Sequence, residues 1–288
     1  MKKIVLALVL GISAVTAKIN CVTSILPEKI FVEAIGGDKV HTMVMVPPGN
    51  EPHTYEPKPS QMKEIAKAQL FLALGVPFEN AWLPKLKNQN SKMEVINVGK
   101  GVEKIAMAEH HHEGEHKEEK HKKEHHHGGL DPHIWTSPKN IKIIAKNIYT
   151  ALVAKDKVNS DYYKSNYEKF LAKIDATDKE IKKILGTLPK GTKFMVFHPA
   201  WGYFAKEYGL EQIAIEAGGK EPKPKQLMHL VDEAKEEKVT AIFTEPEFSQ
   251  KAAKVIAKEA GVPVVAVSPL NPDWSQNLIG LAKAIAKK

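Results

Sequence analysis

The sequence predicts an α/β protein of two parallel-sheet lobes joined by one long linking helix, with a metal site in the cleft between them. Three observations carry that expectation. Short apolar, β-branched runs alternate with helical patterns in both halves of the 288 residues, and this alternation implies parallel sheets with helices on both faces. Residues 160–185 keep helical spacing with no glycine or proline. Three histidines sit in short proline-bearing loops, where an imidazole can be aimed at a ligand.

The chain opens Met1-Lys2-Lys3, runs apolar from Ile4 to Ile12 and reaches small residues at Val15-Thr16-Ala17. This reads as a signal peptide over residues 1–17; its apolar part is far shorter than the roughly 20 residues a membrane span needs. The first lobe, residues 18–159, has expected strands at Ile19 to Ile25, Val40 to Val46, Gln69 to Leu74 and Glu94 to Val98. Helices are expected at Pro27 to Ile35, Ser60 to Ala68 and Glu79 to Lys87, with a further one opening at Ser137-Pro138, a suitable N-cap and first-turn pair. The linking helix, residues 160–187, places Tyr163, Tyr167, Phe170, Leu171, Ile174, Ile181 and Leu185 on one face. Its stretch 160–185 would extend about 39 Å at 1.5 Å per residue. The second lobe, residues 188–288, repeats the pattern. Its strands are expected at Lys193 to Phe197, Gln212 to Ile215, Thr240 to Phe243 and Val264 to Val267, and its helices at Trp201 to Tyr208, Pro224 to Glu237, Ser249 to Ala260 and Trp274 to Ala286.

Composition narrows the function classes. The formal charge is +8, but every basic residue is lysine, interspersed with glutamate. Readers of nucleic acid rely on arginine forks, so no nucleic-acid partner is expected. Cys21 is the only cysteine, which excludes an intrachain disulfide. The residues before it, Lys18-Ile19-Asn20, are not the small ones of a lipidation site. A free, monomeric periplasmic protein follows as the expectation.

The chain has 13 histidines, and eleven fall in two kinds of setting. His53 lies in Gly49-Asn50-Glu51-Pro52-His53-Thr54-Tyr55-Glu56-Pro57, His133 in Asp131-Pro132-His133-Ile134-Trp135, and His198 in Phe197-His198-Pro199-Ala200-Trp201. Three neutral imidazoles make most of a tetrahedral shell for a zinc-like ion. His53 and His198 follow strands, and the carboxyl ends of parallel strands are where open α/β sheets bind ligands. His41, in a strand, and His229, on a helix, lack that setting and read as structural or surface residues. The other eight histidines, His110, His111, His112, His116, His121, His125, His126 and His127, lie in a charged loop over residues 109–128 with nothing apolar to bury. That composition suits a low-affinity metal collector beside the cleft.

These three loops resemble those of the periplasmic solute-binding proteins of metal ABC importers, in the zinc subgroup that carries a histidine-rich loop. The resemblance covers the whole chain after residue 17. It implies His53, His133 and His198 as ligands, Zn2+ as the transported ion, and delivery to a membrane ABC permease with its ATPase. In manganese members the residue corresponding to His198 is typically a carboxylate, so the histidine favours zinc. Two departures stand out: Ser268 occupies the place of an aspartate found in many members, and Pro52 that of a glutamate found in some zinc members. The fourth position therefore falls to water, Glu51, Glu247 or Asp273, which the sequence leaves unranked. The alternative function is a zinc-dependent hydrolase with an open three-histidine site, against which stands the lack of an H-E-x-x-H pairing at His53, His133 or His198; a metal-storage protein or adhesin is a third reading.

Overall fold

The computed structural model describes residues 17–107, 129–216 and 219–287. The expected signal peptide up to residue 16 and the histidine-rich run lie outside the described residues. Two four-stranded sheets, each entirely parallel, form the framework. The first holds β1 (Ile19–Thr23), β2 (Val40–Val44), β3 (Leu70–Ala73) and β4 (Glu94–Asn97) in the order β2-β1-β3-β4. The second holds β5 (Thr192–Val196), β6 (Leu210–Ala214), β7 (Ile242–Thr244) and β8 (Val264–Ala266) in the order β6-β5-β7-β8. The two orders are the same, and in each the direction of winding reverses beside the first strand. Such a reversal leaves a crevice at the carboxyl ends of the strands.

Nine helices of the described residues complete the layers: α1 (Leu26–Gly36), α2 (Pro59–Ile65), α3 (Pro77–Gln89), α4 (Pro138–Lys155), α5 (Ser160–Leu185), α6 (Gly202–Tyr208), α7 (Pro224–Glu236), α8 (Lys251–Ala260) and α9 (Trp274–Ile285). Five of them, α1 to α4 and α7, carry proline in the first turn, where its missing N–H costs nothing and its fixed φ suits the helix. Ser137 caps α4 by accepting from the Asn140 N–H. The strands lie close to the expected places but are shorter: β1 ends at Thr23 and β7 shifts to Ile242–Thr244. Helix α8 starts at Lys251 rather than Ser249, because the Ser249 hydroxyl takes the Lys251 N–H instead of entering the helix.

Most strand residues are buried, with β3 and β7 buried at every position, as sheets covered on both faces require. Cys21 sits buried in β1 and burial pushes its thiol up to about 12, so it packs as an apolar residue. One continuous core joins the first sheet to α4, α5 and α9 and reaches Phe194, Val196 and Phe243 of the second sheet; a smaller core forms among Met195, Ile213, Leu230, Ile242 and Ile256. The last helix, α9, returns to pack on α5. There Trp274 meets the edges or faces of Phe31 and Phe170, each at 5.9 Å between ring centres, and Phe31 and Phe170 stand 5.6 Å apart. Thr177 Oγ1 and Ser275 Oγ share a buried hydrogen bond of 2.6 Å beside this trio. Trp274→Ala would leave a large void there and is expected to cost about 3–5 kcal/mol, read as a lower urea midpoint; an unchanged midpoint would show that the trio does not tie α9 down.

Candidate metal centre

The loop after β2 is shaped by its own side chains. Asn50 Nδ2 donates to the carbonyls of Pro47 and Pro48 at 3.2 and 3.3 Å. Glu51 accepts the His53 N–H with one oxygen, at 2.7 Å, and the Thr54 hydroxyl with the other, at 2.9 Å. Tyr55 donates to Gln61 Oε1 and Gln61 Nε2 to the Met45 carbonyl, so the loop is pinned to the strand it leaves. His53 emerges at the rim, with its side chain 37% exposed.

His133 and His198 sit deeper, each 5% exposed. Asp131 Oδ1 accepts the His133 N–H and also contacts its Nδ1, both at 2.8 Å. This fixes the tautomer with Nδ1 protonated and leaves Nε2 with a lone pair for a ligand. Asp131 gains its place because residue 202 is glycine: a Cβ there would lie 2.8 Å from Asp131 Oδ2. The Asp131 carbonyl accepts the Tyr203 hydroxyl at 2.8 Å, and Trp135 Nε1 donates to the Pro269 carbonyl at 2.7 Å. Both bonds cross between the halves of the chain.

His198 lies just past β5, separated from it by Phe197. Its N–H donates to Glu245 Oε2 at 3.3 Å, and its ring stacks on Phe248 at 4.6 Å between centres. Glu216 Oε1 lies 3.1 Å from His198 Nδ1, an ion-pair distance whose angle falls outside hydrogen-bond alignment. Glu216 and Glu245 are both buried, and burial pushes the Glu245 carboxyl well above its ordinary range. Sequence reasoning missed both. Each directly follows or nearly follows a strand of the second sheet, and the strand-end rule that selected His198 would have found them.

Outward, the rings converge. His133 Nε2 and His198 Nε2 are 3.3 Å apart. Tetrahedral zinc with Zn–N bonds of 2.0–2.1 Å places two nitrogens about 3.3 Å apart. His53 completes the group: one ligand atom from each of the three lies within 4.8 Å of the others, the only such histidine, cysteine or carboxylate group among the described residues. The cleft they share has Val76, Pro77, Trp135, Phe248, Pro269 and Leu270 among its walls. Burial lowers the His133 pKa despite the opposing hydrogen bond and charge of Asp131, and burial likewise lowers that of His53 despite the charge of Glu51. Both effects keep the imidazoles neutral, the form that binds metal.

Of the three carboxylates weighed for a fourth position, Glu51 and Glu247 line the cavity and Asp273 does not. Asp273 is corrected to a helix cap: its Oδ1 accepts the Gln276 N–H at the start of α9. Ser268 Oγ donates to Glu247 Oε1 at 2.9 Å and accepts the Leu270 N–H at 3.0 Å. His41 on β2 and His229 on α7 are exposed and outside the group.

Comparison with known proteins places these features in a family. The family model described as "ZnuA: Zinc-uptake complex component A periplasmic" matches residues 21–288. A solved structure described as ZnuA is 40% identical, with a TM-score of 0.83, over 93% of this chain and 98% of that one. The high-affinity zinc uptake system protein ZnuA of Bacillus subtilis (strain 168) is 34% identical, covering 85% of this chain and 76% of the relative. The manganese ABC transporter substrate-binding lipoprotein PsaA of Streptococcus pneumoniae is 31% identical, covering 86% and 78%.

Because burial lowers the pKa of His53 and His133, protons should begin to displace a bound divalent ion only below the ordinary histidine value of about 6.5. Affinity for Co2+ measured from pH 8 to pH 5 is expected to hold to below that value and then fall. Loss centred at or above it would contradict the neutral, desolvated rings described here.

Proposed function

The chain belongs to the ZnuA family of metal ABC transporter substrate-binding proteins, and on that premise we propose that it captures Zn2+ and hands it to a membrane ABC permease driven by its ATPase. His53, His133 and His198 are the ligands. The observation that carries the reading is the nitrogen-only set of three imidazoles, two of them with Nε2 atoms at a zinc-like separation. Such a set suits zinc, whereas Mn2+ favours more carboxylate oxygen. Relatives are named for both metals, so the choice rests on donor chemistry.

The same reading places the protein in the periplasm as a monomer, exported by residues 1–17. The lobes are residues 18–159 and 188–288 with the link at 160–187, and the run 109–128 serves as a weak collector. No helix of the described residues is long and apolar enough to cross a membrane. The hydrolase alternative is not favoured, because relatives are named as substrate-binding components of metal ABC transporters.

Protein purified without an affinity tag is expected to carry about one tight zinc per chain by elemental analysis and calorimetry, and to bind Mn2+ far more weakly. His133→Ala and His198→Ala should each weaken zinc by about 100-fold or more, while deletion of 109–128 should remove only weak equivalents. Equal affinity in the histidine variants, or tighter Mn2+ than Zn2+, would overturn the proposal.

A further inference from the structure

Two carboxylates line the cavity, and they differ in what their oxygens already do. Both oxygens of Glu51 are engaged within their own loop, one by the His53 N–H and the other by the Thr54 hydroxyl. Glu247 has one oxygen held by Ser268, whereas its Oε2 is buried with no hydrogen-bond partner. A desolvated carboxylate oxygen without a partner is costly to keep, and here it stands in the wall of a space that three imidazole nitrogens share.

We propose that Glu247 supplies the fourth ligand, giving the ion a shell of three nitrogens and one oxygen, with Ser268 as the residue that positions it. The inference rests on the metal-capture reading above and deepens it. Glu247 lies outside the group whose ligand atoms are mutually within 4.8 Å, so ligation takes a rotation of its side chain. Ser268 holds Oε1 and is itself held by the Leu270 N–H, which leaves Oε2 as the atom that turns inward. The carboxylate thus comes from the loop after β7, and the residue after β8 serves as its support. A single carboxylate on an otherwise imidazole shell keeps the small, tetrahedral character that suits zinc and cobalt over manganese.

The test uses the full chain loaded with Co2+, whose visible absorption reports coordination number, together with zinc affinity by competition with a chelating dye. Glu247→Gln is expected to weaken zinc by at least about 10-fold and to reduce the intensity of the tetrahedral cobalt bands. Ser268→Ala should weaken zinc more modestly. The apo forms of Glu247→Gln and Ser268→Ala are expected to melt close to the parent; should the first not fold, the second and its cobalt spectrum decide. Unchanged zinc affinity and unchanged cobalt bands in Glu247→Gln, with His198→Ala still abolishing binding, would overturn this inference alone. A parent that binds neither metal would overturn the capture reading as well.

Discussion

The arrangement depends on two imidazoles being brought nose to nose across the boundary between the halves of the chain. His133 comes from the segment before α4 and His198 from just past β5, yet their Nε2 atoms stand 3.3 Å apart and both residues are buried. Two ring nitrogens that each turn a lone pair to the same point repel one another and attract a cation, so the geometry favours an ion there. What keeps the rings in place is charge behind them: Asp131 on the Nδ1 of His133 and Glu216 near the Nδ1 of His198. Each carboxylate is buried, and together they offset the positive charge that an ion would bring.

The walls depend on the same economy of buried polar groups. Glu79, in α3, accepts the N–H groups of Leu74 and Gly75 at 2.8 Å and the Ser24 hydroxyl at 2.6 Å. It thereby shapes the turn from β3 into α3 that presents Val76 and Pro77 to the cavity. Glu28, beside it, accepts the Ser24 N–H, and burial together with the charge of Glu79 pushes its carboxyl well above the usual range. At the other edge, Glu207 accepts the Ser137 hydroxyl and receives the Lys139 N–H, joining α6 to the start of α4. Carboxylates that look like scattered surface charge in the sequence are the internal fasteners of the cleft.

Much of this was legible in advance and some was not, for physical reasons. The alternation of β-branched runs with amphipathic stretches announced both sheets, because parallel strands buried on two faces must be apolar at nearly every position. The uninterrupted spacing from Tyr163 to Leu185 announced α5. The three histidine loops stood out because proline and aromatic neighbours mark a held backbone. Glu79 did not stand out, because a buried glutamate has the same letter as a solvated one and only packing tells them apart; Glu216 and Glu245 carried only their places just past β6 and β7 as a signal. Asp273, one of the three carboxylates the sequence left unranked, opens α9 and spends an oxygen there. The histidines of the run at 109–128 lie outside the described residues.

The shared core has a consequence for how such a cleft can respond to its contents. Phe194, Val196, Phe243 and Trp274 belong to the same apolar interior as Ile19, Val22 and Phe31. Swinging the halves apart like a clamshell would hydrate that interior at about 25 cal/mol for every square ångström laid bare, and would break the Trp135–Pro269 and Tyr203–Asp131 bonds as well. Of the three ring-bearing loops, the one that carries His53 is the exposed one, so it can shift with the least loss of buried surface.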